Sequence, residues 1–476
     1  DVDCTAFVCQ HAGSALEKGL ISEADIDARL KMLFKVRMRL SHFDPVGPLQ
    51  KIPTDVICST YAQALSFDGT AQSAALLKNE QHLLPLSVAS VGRIAIIGPN
   101  SNLSKADTGY YGPQEPCGRK FWTLVDALQL FAPVETMLGV PSVLSEKTSG
   151  IPAAVSLAAS ADTVVLAVGT DLTWAAEGKD AGSIRLTTAQ SELIEKVAQA
   201  AKKPVLVVTM TATPLDISAV LSNPKVGAVL HLGQPSVSVL GIGDVIFGKK
   251  SPAGRTIQTI YPGSYADEVS IFDFGMRPGA SLFPRPDCGK PASECPKATN
   301  PGRTYRFYTG QAVVPFGFGL SYSTFKYTPL DIPLVVPLAR LKPLLQGVRH
   351  GFVSLAALEQ AGAAAHFAVN VTNTGDVDAD DVVLGFLIPP GAGQDGTPLK
   401  SLFGFERVHV RAGETVTVFL YPNYLSFTRV TSKGERVAHE GSYLVEFGIP
   451  ETAAHGMGFA QRRVLAQLAA TAPSYI

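Results

Sequence analysis

Four residues in one stretch have the types and spacing for chemistry on a sugar: Asp171, Trp174, Glu177 and Asp180, within GTDLTWAAEGKDAGSIRL, residues 169–186. An indole packs on the apolar face of a sugar ring, and a carboxyl group partly removed from water has its pKa raised toward that of a general acid. Glu177 is therefore the candidate acid/base, and Trp174, Asp171 and Asp180 are candidate substrate-binding residues. The same residues also suit a solvated surface loop, so the flanking elements carry the argument.

Before the stretch, residues 164–168 form a continuous apolar run, VVLAV, of the kind buried on both faces of a parallel sheet. After it, a helix is expected to open at Thr187 with Gln190 as capping-box partner, and Ile194, Val197, Ala198 and Ala201 fall on one of its faces. Strand-to-helix loops run roughly 2 to 6 residues, and this one is about three times as long. At the carboxyl edge of a parallel strand it lies where open α/β sheets bind ligands.

The whole chain limits what that ligand is. A length of 476 residues suggests about three domains, and 46% hydrophobic against 17% charged residues describes a globular protein. Lys plus Arg number 40 against 41 Asp plus Glu, so no net field draws the chain to nucleic acid or an anionic membrane, and a neutral or small partner is expected. No apolar run reaches the ~18 residues of a transmembrane helix, and residues 1–9 lack the basic flank and apolar block of a signal peptide. Six cysteines permit disulfides; Cys288 and Cys295, in a loop rich in proline, are the expected pair. No metal-type spacing is present, and neither a metal nor a cofactor is expected. Sequons at Asn102 and Asn370 add weak support for secretion.

Taken in order, the chain shows a helix opening at Ser22 with Asp25 as an imperfect capping partner. It runs through Ile26, Leu30, Leu33 and Leu40 to a stop at Asp44 and Pro45. One helix makes no core, so it is expected to pack on the next domain or on a partner. From about 52 to 318, β-branched runs at 94–97, 164–168, 205–209 and 226–230 alternate with helical patterns, the signature of a mainly parallel sheet with helices on both faces. Gly98, Gly169 and Gly233 read as turn residues at the strand ends. Residues 278–302, rich in Pro and Gly, interrupt the pattern. Beyond Phe316, period-two alternation at Phe367, Val369 and Val371, at Val416, Val418 and Leu420, and at Tyr443, Val445 and Phe447 indicates a β-sandwich. The expected divisions are 1–51, 52–318 and 319–476, with an insertion near 328–365 to which no role is assigned.

The stretches DVDC, GLISEADIDARLKMLFKVRMRLSHFDP, SAALLKNEQHLLPL, IAIIGPNSN, GYYG, DVIFGKKSPAGR, MRPG, PGRTYRFYTG, PFGFGLSYSTF and LFGFERVHVRAGE occur in order over almost the whole chain. Together they resemble glycoside hydrolase family 3, most of all its β-xylosidase branch. The resemblance implies a (β/α)8 barrel carrying an Asp nucleophile, an α/β sandwich carrying a Glu acid/base, and a fibronectin type III-like domain. It implies β-xylosides or xylo-oligosaccharides as substrates and a retaining mechanism, with the two carboxyls roughly 5 to 5.5 Å apart. The expected Cys288–Cys295 pair, with the sequons, suggests an extracellular, secretory or lysosome-like location.

The chain departs from the family in three places. Where the loop of the relatives reads Trp, Glu, any residue, Glu, Gly, any residue, Asp, Arg, this chain has Trp174, Ala175, Ala176, Glu177, Gly178, Lys179, Asp180 and Ala181. One carboxylate and one cation are missing. The glycine-rich turn of the family is replaced by Ser236, Val237, Ser238 and Val239. DVDC resembles the segment after the nucleophile-bearing strand, so neither Asp1 nor Asp3 is the nucleophile in this register. Two expectations follow: the carboxyl-terminal portion of a β-xylosidase-like hydrolase that needs a separate or missing barrel, or a catalytically degenerate relative serving as a carbohydrate-binding or structural subunit of a larger assembly.

Overall fold

The computed structural model describes residues 6–103, 115–118, 121–235, 238–346, 353–431, 433–448 and 464–471. Asp1, Asp3, Cys4, the GYYG stretch, Ser236 and Val237 lie outside the described residues. The chain forms two compact units, Asp1–Ala62 and Gln63–Ile476.

In the first unit, α1 (Phe7–Glu17) precedes α2 (Glu23–Arg39). Ser22 and Asp25 make a complete capping box on α2, so the Asp serves fully where Glu is the usual partner. The sequence reading missed α1, which has no side-chain cap and no acidic residue in its first turn. None of the described residues of this unit is buried. Leu30, Met32, Phe34, Val36 and Met38 of α2 are all exposed.

The second unit begins within α3 (Thr60–Ser73) and contains the α/β layers. Its main sheet consists of β1 (Ala75–Asn79), β2 (Ile94–Ile97), β3 (Val134–Met137), β4 (Thr163–Gly169), β5 (Val205–Met210) and β6 (Val226–His231), in the order β1-β6-β5-β4-β2-β3. All neighbours are parallel except β1, which runs antiparallel to β6 with Ala75 opposite His231. Every residue of β2, β5 and β6 is buried, which explains why they read as continuous apolar runs. The helices are α4 (Leu124–Gln129), α5 (Ile151–Ser160), α6 (Thr188–Ala200), α7 (Ser218–Ser222) and α8 (Ile242–Ile246). One face of the sheet, with Ile97, Leu166 and Val207, packs on Ala154, Leu193 and Val220 of α5, α6 and α7. The other, with Ile96, Val165 and Val208, packs on Leu124 of α4 and on Ile242 and Ile246 of α8.

A segment with α9 (Ser264–Glu268), the hairpin of β7 (Gly279–Pro284) and β8 (Lys297–Asn300), and α10 (Thr304–Phe307) follows. Cys288 and Cys295 are joined in a disulfide within the hairpin loop, and Cys9 is an exposed free thiol.

The remaining strands are β9 (Phe325–Asp331), β10 (Val335–Pro337), β11 (Phe367–Asn373), β12 (Ala379–Ile388), β13 (Ser401–Val410), β14 (Thr415–Leu420), β15 (Thr428–Val430), β16 (Arg436–Ala438), β17 (Gly441–Phe447) and β18 (Val464–Thr471). A sheet β10-β18-β17-β12-β13 faces a sheet β14-β11-β9 over a shared core that includes Phe367, Val369, Val418, Tyr443 and Phe447. The pairing is antiparallel apart from β10 with β18. The stretch 328–365, for which the sequence suggested no role, contains most of β9, then β10, α11 (Leu341–Leu345) and α12 (Leu355–Ala361). Val336 and Leu341 from it are buried in this core.

Candidate functional site

The loop after β4 is anchored at its base by buried polar groups. Gly169 has φ +141°, and a Cβ there would lie 2.1 Å from the carbonyl oxygen of Met210, so only glycine permits the approach of β4 to β5. The Thr170 N–H donates to Met210 O (2.9 Å), its hydroxyl donates to Thr211 Oγ1 (2.9 Å), and Asn100 Nδ2 donates to its carbonyl (2.9 Å). Gln190 is fully buried: its Oε1 accepts from Gly169 N–H (3.0 Å), and its Nε2 donates to Val143 O (2.8 Å) and Gly169 O (3.1 Å).

This corrects the expected capping box. Thr187 does cap α6 by accepting from Gln190 N–H (3.2 Å), but the Gln190 side chain holds the loop instead of returning to the cap. The free N–H groups of Thr188 and Ala189 donate to the Glu146 carboxylate (3.4 and 3.0 Å), which suits the positive end of a helix.

Above this base the sequence candidates separate. Asp171 is engaged locally, its carboxylate accepting from the Thr173 N–H (2.8 Å) and hydroxyl. Trp174 is 6% exposed and buries its indole against Val143 and Leu215, with Ala175, Ala181 and Leu186 packed around it. The indole, expected to pack on the face of a sugar, is used within this chain in a small core of its own. Glu177 and Gly178 form the tip of a tight turn closed by Ala176 and Lys179, whose N–H groups donate to each other's carbonyls (3.0 and 2.9 Å). Gly178 supplies the positive φ, +73°, that the turn requires. Glu177 is exposed, as is Asp180, and Lys179 Nζ donates to Thr173 O across the turn.

The return path is pinned again. Asp216 N–H donates to Ile184 O (2.6 Å), and Arg185 makes a two-pronged pair with Asp267 of α9 (2.8 and 2.6 Å). The Arg185 hydrogen bonds hold the Asp267 carboxyl below its usual range. Sequence reasoning missed Asn100, Thr211, Gln190 and Glu146 as supports of the loop. Their roles depend on segments about 20 to 70 residues apart, and no local pattern marks them. In the altered turn, Ser238 pairs with Trp122 as an isolated parallel bridge, and Val239 is buried. Among the described residues no cluster of three side chains could hold a metal ion, and no helix is long and apolar enough to cross a membrane.

The geometry is thus two exposed carboxylates, Glu177 at the tip of a turn and Asp180 just after it, on a loop whose base is hydrogen-bonded at the carboxyl edge of a mainly parallel sheet. The family model described as the glycosyl hydrolase family 3 C-terminal domain matches residues 74–322. The chain belongs to glycoside hydrolase family 3. Within the family, it is 33% identical over 466 residues to a probable beta-D-xylosidase 6 of Arabidopsis thaliana, covering 94% of this chain and 56% of that protein. It is also 33% identical over 457 residues to a probable exo-1,4-beta-xylosidase bxlB of Aspergillus fumigatus, covering 95% of this chain and 55% of that protein. Among solved structures, a GH3 exo-beta-xylosidase (XlnD) in complex with a xylobiose aziridine probe superposes with a TM-score of 0.80 at 27% identity, covering 99% of this chain and 56% of that one. A beta-glucosidase from Listeria innocua shares the fold, with a TM-score of 0.71 at 21% identity. This family 3 chain therefore spans about half the length of the curated relatives it matches.

Proposed function

We propose that this chain supplies the acid/base side of a retaining β-xylosidase-like site, with Glu177 as the proton donor. The nucleophile and most of the sugar pocket come from a (β/α)8 barrel, whether in the same longer protein or in a separate chain. The observation that carries the reading is the placement of Glu177: a carboxylate at the tip of a turn, on a loop whose base is fixed by buried hydrogen bonds, in a chain that aligns over 94% of its length with a β-xylosidase relative. A retaining site needs its two carboxyls roughly 5 to 5.5 Å apart. An exposed tip can be brought that close to a second carboxylate, and the docked barrel would exclude the water that Trp174 does not. The disulfide between Cys288 and Cys295 supports a secretory or extracellular location.

The test uses protein containing both this chain and its barrel. Glu177→Ala should lower turnover of xylobiose by about 10²- to 10³-fold, because its leaving group needs a proton, and affect an aryl xyloside with an activated leaving group far less. Equal loss on both substrates would assign Glu177 to structure, and no loss would remove it from catalysis. The chain without a barrel should not hydrolyse an aryl β-xyloside; turnover by the pure chain would refute the assignment of the nucleophile.

A second reading, a catalytically degenerate binding subunit, is favoured by one observation. Ala175 and Ala181, at the positions of the family's Glu and Arg, pack on the Trp174 cluster, so this part of the loop is built as apolar core. Xylobiose binding by the assembled protein with no turnover of either substrate would select this reading.

A further inference from the structure

The two sequons lie in different settings. Asn102 stands between buried Ser101 and Leu103 just beyond the carboxyl end of β2, and Ser104, which completes its sequon, lies outside the described residues. Asn370, Val371 and Thr372 lie within β11, the central strand of the sheet β14-β11-β9.

Alternation along the strand decides which way these side chains point. Val369 and Val371 are buried in the core of the β-sandwich, so Asn370 and Thr372 face outward. The flanking strands set threonines beside them: Thr417 of β14 and Thr328 of β9 stand opposite Asn370, and both are exposed. The Thr417 hydroxyl donates to Asn370 Oδ1 (2.8 Å), and the hydroxyls of Thr372 and Thr415 share a hydrogen bond (2.8 Å). None of the described residues accepts from Asn370 Nδ2. The amide nitrogen is thus left over on a face turned to solvent.

A second observation falls on the same face. Val418 and Leu420 point into the core, so Phe419 between them points out, and it is 48% exposed. It stands opposite Ala368 of β11, one diagonal step from Asn370 and within reach of a group attached there. A phenyl ring in that position is apolar surface beside a nitrogen that has no partner. A sugar held on the nitrogen would lay its apolar face on the ring.

We propose that Asn370 is an N-glycosylation site and that the first N-acetylglucosamine covers Phe419. Transfer joins Asn370 Nδ2 to C1 of the sugar of a lipid-linked oligosaccharide donor. The bond from C1 to the lipid diphosphate breaks, the diphosphate leaves with the electron pair, and the amide gives up one proton. The outward orientation of Asn370 lets the folded chain keep the product. The proposal rests on the secretory location inferred above and not on the role of Glu177.

The experiment treats the natural protein with a peptide-N-glycosidase in heavy-oxygen water and maps the peptides by mass spectrometry, with Cys288 and Cys295 followed in the same digest. Asn370 should be converted to aspartate carrying heavy oxygen. An oxidised Cys288–Cys295 pair with Asn370 unmodified would overturn the site while leaving the location intact. Free thiols at both cysteines with Asn370 unmodified would overturn site and location together. In protein secreted from a eukaryotic host, Thr372→Ala should abolish the glycan and Thr372→Ser should retain it, which separates loss of the sequon from loss of the fold. Removing the glycan from folded protein should raise the fluorescence of a hydrophobic dye, and Phe419→Thr should abolish that rise. A glycan confined to Asn102 would overturn the site, and dye fluorescence indifferent to deglycosylation would overturn the covering of Phe419.

Discussion

At the scale of single residues, the polar groups inside the α/β layers are placed where they are costly unless satisfied. His231 ends β6, is 9% exposed, and shares a hydrogen bond with the Thr209 hydroxyl (3.0 Å). Burial disfavours the imidazolium and pushes its pKa from 6.5 down to about 4. The unfolded chain therefore binds a proton between these values that the folded chain does not. Stability is fully present above pH 6.5 and is lost as pH falls from 6.5 toward 4, by about 3 kcal/mol at most. Urea denaturation of wild type and His231→Gln at pH 7 and pH 4.5 checks this, and the variant should show the smaller difference between the two pH values. Trp174 makes the complementary case for an apolar group. Its indole fills the space between Val143 and Leu215, so Trp174→Ala should cost about 3 to 5 kcal/mol and open the loop to proteases. A Trp that stood free to stack on sugar would show almost no change in stability when removed.

Among the secondary elements, the ends of the parallel strands decide how the loop is held. Gly98 at the end of β2 and Gly169 at the end of β4 repeat one device: each has a positive φ, and a Cβ on each would fall 2.1 Å from a carbonyl oxygen of the neighbouring strand, Ala167 or Met210. Gly169→Ala should therefore destabilise by on the order of 3 kcal/mol, combining the steric contact with an unfavourable backbone conformation. Thermal unfolding measures the cost, and cleavage within residues 170–187 should precede cleavage of the sheet. An unchanged Tm would mean that the strand ends relax freely and do not anchor the loop. The α2 helix is a contrast. Its capping box satisfies its first turn, but none of its residues is buried, and isolated helices of this length are marginal in water.

Across the second unit, the α/β layers and the β-sandwich are joined by a buried charge network. Arg255, between α8 and α9, pairs with Asp381 of β12 and donates to Gly319 O, and the Tyr327 hydroxyl donates to the other Asp381 oxygen (2.8 Å). The side chains are 10% and 1% exposed. Phe386 and Leu384 of β12 extend the same junction into the core beneath α5 and α6. Removing one partner of a buried pair leaves an uncompensated charge, so Asp381→Ala should cost about 3 to 5 kcal/mol. Calorimetry should then resolve two transitions where wild type shows one. A single transition at an unchanged Tm would show that the apolar contacts alone couple the layers.

Periodicity in the sequence was enough to locate β2, β4, β5 and β6, the inward face of α6, and the alternating strands β11, β14 and β17, because burial on one or both faces writes itself into neighbouring residues. The ordered motifs were enough for the family. Neither revealed that β1 runs antiparallel, since the short apolar run of β1 carries no sign of its direction and only its pairing with β6 sets the sense. They also could not tell a Trp that packs inward from one that faces a ligand: Trp174 is apolar in both cases, and Val143 and Leu215, which claim it, lie 31 and 41 residues away along the chain. The same distance hides the partners of Gln190, which locally reads as half of a capping box. Local sequence encodes which residues avoid water, whereas contacts across the sheet decide which of them meet, and the candidate site is built almost entirely from contacts of the second kind.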